Sequence, residues 1–158
     1  IKIGISNANE REKKAVEDVY QLLRGAKVDC VAAEDIEAEI WRKYIFNCAY
    51  NVLTAHYRQN VGELRADAKK REEFRRLLQE AYEVGKAKGV HLEEEDIVRH
   101  QNRFENKLAD DATSSLQRDV EDGKHNTELE TFCGYIVRVG RELGVDVSLT
   151  EKFYRMDS

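Results

Sequence analysis

Three polar residues interrupt an otherwise apolar and aromatic stretch, WRKYIFNCAYN at residues 41–51. Lys43, Asn47 and Asn51 are spaced four apart. In a helix, residues at this spacing drift by about 40° and rise by about 6 Å, so the three side chains line one ridge about 12 Å long. One ammonium and two carboxamides in a row suit an anionic, oxygen-rich small molecule, to which Lys43 would give a proton.

Two interpretations fit this polar ridge. The flanking positions are apolar nearly all round, which predicts a buried helix. Buried amides and a buried ammonium are costly unless they are hydrogen-bonded. The ridge is therefore either sealed in a structural network, which spacing alone slightly favours, or it faces a substrate. In the second case burial would lower the pKa of Lys43 toward working pH, as a general acid needs.

Composition narrows the class of protein. The chain has 158 residues and a net charge of −5, and 36% of its residues are charged, so we expect one soluble globular protein. No apolar run approaches the roughly 18 residues of a membrane span. The charges are mixed along the chain without a basic patch, which speaks against a nucleic-acid partner.

The cysteines and histidines predict no metal site. Cys30, Cys48 and Cys133 are widely spaced and form no CxxC pair, so neither a disulfide framework nor a zinc site is indicated. The four histidines share no spacing typical of ligands. A reducing cytoplasm is the expected location.

Residues 1–34 are predicted to form a short β-α-β unit. IKIGIS alternates like a strand, a helix follows with Asn9 as its N-cap and Gly25 at its end, and KVDCVAAED alternates again. Two strands need further partners, and the chain begins at Ile1 rather than at methionine. We therefore expect residues 1–34 to be the end of an α/β domain whose larger part lies upstream.

Residues 35–158 are predicted to be helical. A long helix runs from about Ile36 to Tyr57, with Asp35 as its cap. Gly89 and Gly144 end two later helices. The further helical stretches are VGELRAD, KKREEFRRLLQEAYEVGKAKG, EEEDIVRHQNRFENKLA, SSLQRDVEDG, ELETFCGYIVRVGRELG and LTEKFYRM. The predicted fold class is mainly α.

The stretch DIEAEIWRKYIFNCAYNVLTA resembles the opening helix of the C-terminal domain of ketopantoate reductases. The shared pattern is Lys-x-x-x-Asn-x-x-x-Asn followed by Leu-Thr-Ala. It continues in order through GELRAD, SSLQRDVEDGK and TELETFCGYIVRVGRELGV. The resemblance implies that residues 35–158 form a helical bundle of the 6-phosphogluconate dehydrogenase C-terminal-like type. It also implies that residues 1–34 close a Rossmann-like, NADP-binding domain.

The resemblance assigns a role to each polar residue. Lys43 matches the lysine that donates a proton to the ketone oxygen. Asn47 and Asn51 match asparagines that bind the hydroxyls and the ketone region of the substrate, and Ser115 matches the serine that binds its carboxylate. Glu128 matches a glutamate close to the catalytic lysine and the cofactor, with a catalytic and cofactor-binding role.

The implied activity is that of an NADPH-dependent 2-dehydropantoate 2-reductase in pantothenate and coenzyme A synthesis. Its partner would be a small-molecule 2-keto acid, and the resemblance allows a homodimer. No G-x-G-x-x-G turn occurs in the chain, so NADPH would be bound mainly by a domain outside it. We expect these 158 residues alone to be inactive.

Two alternatives stay open. Val61 and Ala112 stand where the family often has asparagines, so a related reductase of another 2-keto acid is the second hypothesis. A non-catalytic helical module for interaction or dimerisation is the third. It requires that the protein's own groups seal the polar ridge.

Overall fold

A computed structural model describes residues 1–124 and 128–157 of the chain. The chain divides into two compact units, Ile1–Arg42 and Lys43–Ser158. The boundary between them falls inside a long helix that carries the polar ridge.

The first unit contains the predicted β-α-β arrangement. Strand β1 (Lys2–Ile3), helix α1 (Glu10–Gly25) and strand β2 (Val31–Ala32) follow one another, and the two strands pair in parallel. Asn9 caps α1 as predicted, because its side chain accepts the Glu12 N–H at 3.0 Å. A sheet of two short strands offers too little surface to cover a helix, and none of the residues of α1 is buried.

Helix α2 (Ile36–Tyr57) has the predicted bounds. Asp35 supplies its cap, since one carboxylate oxygen accepts the Ala38 N–H at 2.9 Å. Its C-terminal half is covered on most sides, with buried side chains at Ile45, Ala49, Val52 and Leu53. This burial holds the second half of the ridge against the other helices.

The rest of the second unit is helical, which confirms the predicted fold class. Its elements are α3 (Val61–Ala66), α4 (Ala68–Ala87), α5 (Glu94–Asn106), α6 (Ser115–Glu121), a π-helical turn (Glu130–Gly134), α7 (Tyr135–Leu143) and α8 (Ser148–Asp157). In the core, the rings of Phe74 on α4 and Phe104 on α5 stack at 3.9 Å. Gly144 ends α7 with a left-handed backbone, as predicted.

The π-helical turn is the feature of the fold that sequence reasoning missed. One continuous helix was predicted here, but the Tyr135 N–H bonds to the Glu130 carbonyl, five residues back. The Tyr44 hydroxyl from α2 donates to the Thr131 carbonyl inside the turn at 2.5 Å. The Tyr44 ring also contacts Phe132 and Tyr135, with centroids 6.4 and 6.0 Å away. Helix α2 thus fixes the turn through the residue next to Lys43.

None of the helices formed by residues 1–124 and 128–157 combines the length and the apolar content that crossing a bilayer requires.

Candidate active site

The three ridge residues differ in their exposure to solvent. Lys43 is exposed, Asn47 is half-buried, and Asn51 is only 5% exposed. The predicted burial of Lys43 is wrong for this chain. Ile40, on the same face one turn earlier, is 61% exposed, so the N-terminal half of the ridge is open.

The buried end of the ridge meets the start of α6. The Ser115 hydroxyl is placed to donate to Asn51 Oδ1 at 3.5 Å, which is long for an O–H···O hydrogen bond. Two of the residues that the resemblance groups together are thus adjacent in space. Because the bond is long and Ser115 is exposed, the hydroxyl can turn to a ligand at little cost.

Ser114 and Ser115 have different duties although they are neighbours. Ser114 is 2% exposed. Its Oγ accepts a hydrogen bond from the Gln117 N–H at 3.0 Å and another from the Thr54 hydroxyl at 2.7 Å. Through these contacts Ser114 caps α6 and connects it to α2. Ser115 is left as the serine whose hydroxyl is accessible.

Glu128 lies two residues before the π-helical turn, and its side chain is exposed. Its main-chain carbonyl accepts the Phe132 N–H at 3.0 Å. Within the part of the chain that the structure describes, the Glu128 carboxylate and the Lys43 ammonium form no ion pair with each other or with other groups. The bond from Tyr44 to Thr131 nevertheless ties the neighbour of Lys43 to the turn that follows Glu128.

Tyr50 lies on the same face of α2 as Lys43. No role was predicted for it from the sequence, where it was counted among the apolar and aromatic residues that flank the ridge. It follows Lys43 by seven residues, so the two side chains differ by only about 20° around the helix. Its ring stacks on Phe46 at 5.4 Å and is half-buried. Burial raises the pKa of the Tyr50 hydroxyl, while the positive charges of Arg118 and Arg103 act in the opposite direction. The spacing of seven residues between Lys43 and Tyr50 is the sequence signal that could have placed Tyr50 on the face of the ridge.

The cysteines do not contribute a nucleophile. Cys30, Cys48 and Cys133 are buried, reduced thiols, and burial raises the pKa of Cys48 well above its ordinary value. A neutral buried thiol behaves as a small apolar group. Among the described residues, the structure also contains no group of three or more His, Cys, Asp or Glu side chains that could hold a metal ion.

Comparison with known proteins extends this picture to a family. The family model described as "Ketopantoate reductase PanE/ApbA C terminal" matches residues 35–156. The 2-dehydropantoate 2-reductase of Archaeoglobus fulgidus is 32% identical over 145 residues, which are 92% of this chain and 48% of that protein. The enzyme of the same name from Salmonella typhi is 29% identical over 136 residues, 86% of this chain and 43% of that protein. The chain thus spans about half the length of these relatives.

Solved structures share the fold at lower identity. A dimeric ketopantoate reductase from Staphylococcus aureus superposes with a TM-score of 0.82 at 22% identity, covering 99% of this chain and 52% of that one. A D-mandelate dehydrogenase solved with NADH and anilino(oxo)acetate gives a TM-score of 0.83 at 18% identity, covering 99% of this chain and 64% of the other.

Proposed function

The chain belongs to the ketopantoate reductase family, and from that membership we propose that it is the substrate-binding domain of an NADPH-dependent 2-dehydropantoate 2-reductase. In this proposal residues 1–34 end the nucleotide-binding domain and residues 35–158 form the catalytic helical domain. The observation that carries it is the polar ridge. It rises from the buried Asn51, beside Ser115, to the exposed charge of Lys43.

Each ridge residue has a chemical task in this proposal. The Ser115 hydroxyl donates to the substrate carboxylate, and the amides of Asn47 and Asn51 hold the hydroxyl and ketone oxygens. The Lys43 ammonium gives its proton to the ketone oxygen as carbon 2 becomes saturated, which leaves a neutral amine and an alcohol. A cation at that oxygen also stabilises the negative charge that builds up before the proton arrives.

The cofactor assignment rests on one further residue. NADPH supplies the hydride when it is bound, mainly to the nucleotide-binding domain. Glu128 offers an exposed carboxylate that has no hydrogen bond to other described side chains. A carboxylate accepts hydrogen bonds and repels phosphates, so Glu128 suits ribose hydroxyls or the Lys43 ammonium. We place it in the catalytic and cofactor-binding role on that basis.

The substrate is the least constrained part of the proposal. Val61 and Ala112 are adjacent, since the Val61 N–H donates to the Ala112 carbonyl at 3.1 Å. Neither has a polar side chain, although both stand where the family often has asparagine. This pair favours a second candidate, a reductase of a related 2-keto acid that lacks the hydroxyl group of ketopantoate.

A substrate panel tests both candidates. The full-length reductase is mixed with NADPH and with ketopantoate or other 2-keto acids, and NADPH oxidation is followed. The highest kcat/KM on ketopantoate supports the first candidate, and a preference for another keto acid supports the second. Oxidation with none of them contradicts the proposed function and favours the interaction module.

Assembly and location follow the same proposal. The Staphylococcus aureus relative is dimeric, and a homodimer is the assembly we propose for the full-length protein, to be measured by light scattering. Three reduced cysteines fit a cytoplasmic enzyme.

A further inference from the structure

Arg118 is a cation beside Ser115. It follows Ser115 by three residues on α6, so the two side chains share one face of that helix. Its guanidinium turns back toward the start of α6, where Nη1 lies 3.1 Å from Thr113 Oγ1 and 3.4 Å from the Thr113 carbonyl. The positive charge is therefore held at the start of α6, the helix whose first residue is Ser115.

No carboxylate neutralises this guanidinium among the residues that the structure describes. The acidic residues nearest to it in sequence are engaged elsewhere. Asp119 pairs with Lys124 at 2.5 Å, and Glu121 accepts a hydrogen bond from the Gln117 amide at 2.9 Å. Three of the five N–H groups of the Arg118 guanidinium remain for another partner once Nη1 has used its two on Thr113.

The charge of Arg118 also reaches α2. Burial raises the pKa of the Tyr50 hydroxyl, and the positive charge of Arg118 opposes that rise. Tyr50 precedes Asn51, which contacts Ser115. Helices α2 and α6 thus meet where Asn51 contacts Ser115, and Arg118 shares the Ser115 face of α6.

A carboxylate that loses its hydration on entering a binding site needs a charged partner. The hydroxyl of Ser115 and the amide of Asn51 are neutral, and neutral hydrogen bonds only partly replace the hydration of an anion. A guanidinium matches the two oxygens of a carboxylate and forms short, charge-assisted bonds with them.

We propose that Arg118 binds the carboxylate of the 2-keto acid together with Ser115 and so selects acids over their uncharged analogues. This inference rests on the proposed function and deepens it. It assigns the charge recognition to α6, whereas Lys43 on α2 keeps the proton transfer.

The test compares Arg118→Gln with the unchanged full-length reductase. Steady-state rates are measured for the best 2-keto acid of the panel and for its methyl ester, which lacks the charge. Loss of a hydrogen-bonded ion pair should raise KM for the acid about ten- to a hundredfold and leave kcat nearly unchanged. KM for the ester should not change. Arg118→Lys keeps the positive charge, so its KM for the acid should lie between those of the unchanged enzyme and of Arg118→Gln.

Lys124→Gln is the matched control, because it removes one positive charge just beyond α6 that Asp119 already neutralises. It should leave KM for the acid unchanged. An unchanged KM in a folded Arg118→Gln enzyme overturns the inference alone, since the unchanged enzyme still turns over. An enzyme that reduces no 2-keto acid overturns the proposed function, and the inference with it.

Discussion

The Ser115 hydroxyl lies 3.5 Å from Asn51 Oδ1, although the two residues are 64 positions apart in sequence. This contact joins the start of α6 to the buried end of the ridge on α2. It brings the residue assigned to the carboxylate next to one assigned to the ketone region. Lys43 lies about 12 Å further along the same ridge, which is a suitable length for a small keto acid and its proton donor.

A double-mutant cycle tests whether Ser115 and Asn51 bind one substrate. Ser115→Ala and Asn51→Ala should each raise KM for the 2-keto acid about tenfold or more, because each removes a hydrogen bond to a charged or polarised oxygen. Their effects should be non-additive by at least about 0.5 kcal/mol, as for residues in contact. Ser6→Ala, at an exposed serine of the first unit, is the control. Additive effects would mean that the two residues act separately.

The bond from Tyr44 to the π-helical turn should be measurable as stability. Tyr44→Phe removes the hydroxyl that donates to the Thr131 carbonyl, so the free energy of unfolding should fall by about 1 kcal/mol. Tyr82→Phe is the control, since the Tyr82 hydroxyl has no hydrogen bond to other described residues. Urea unfolding of both variants gives the comparison. Equal urea midpoints for the two variants would show that the hydrogen bond from Tyr44 to Thr131 does not stabilise the turn.

A buried carboxylate holds α8 in place. Glu80 on α4 accepts the Leu149 N–H at 3.0 Å and the Thr150 N–H at 2.7 Å. Glu80→Ala leaves both buried donors unsatisfied, which should cost about 3 kcal/mol and lower Tm by about 6–12 °C. Glu83→Ala, an exposed position on the same helix, should change Tm little. A similar Tm for the two variants would contradict the capping role of Glu80.

The turn should also contribute stability that depends on pH. The Tyr154 hydroxyl and the Arg138 guanidinium lower the pKa of Glu130 below its ordinary value of 4.5. Because the folded pKa is the lower one, this contribution is present above the ordinary pKa and is lost as the pH falls through the folded pKa. Glu130→Gln should therefore reduce Tm at pH 7, and the Tm difference from the unchanged protein should shrink as the pH falls below 4.5. Glu142→Gln, at an exposed carboxylate of α7, is the control, and a Tm difference independent of pH would contradict the assignment.

Much of the fold could be predicted from local signals. The bounds of α2, its Asp35 cap and the ends of α1 and α7 at glycines follow from residues that act within one turn. The π-helical turn could not be predicted, because it depends on the contact of Thr131 with Tyr44, 87 residues away in sequence.

The candidate site was predicted in part. The spacing of Lys43, Asn47 and Asn51 was enough to define the ridge, and the meeting of Asn51 with Ser115 agrees with the resemblance. The exposure of Lys43 was not foreseen, because an apolar pattern predicts burial without saying which element covers each face. Tyr50 and Arg118 were missed since an aromatic residue and a helical arginine are common on ordinary surfaces.

The proton transfer by Lys43 is the central claim, and single-turnover reduction by the full-length enzyme tests it most directly. With NADPH and a saturating 2-keto acid, Lys43→Ala should slow NADPH oxidation on the order of 10²–10⁴-fold, the usual contribution of a general acid. Lys88→Ala, at an exposed lysine after α4, should leave the rate unchanged. Normal turnover by Lys43→Ala would remove Lys43 from the mechanism and contradict the account.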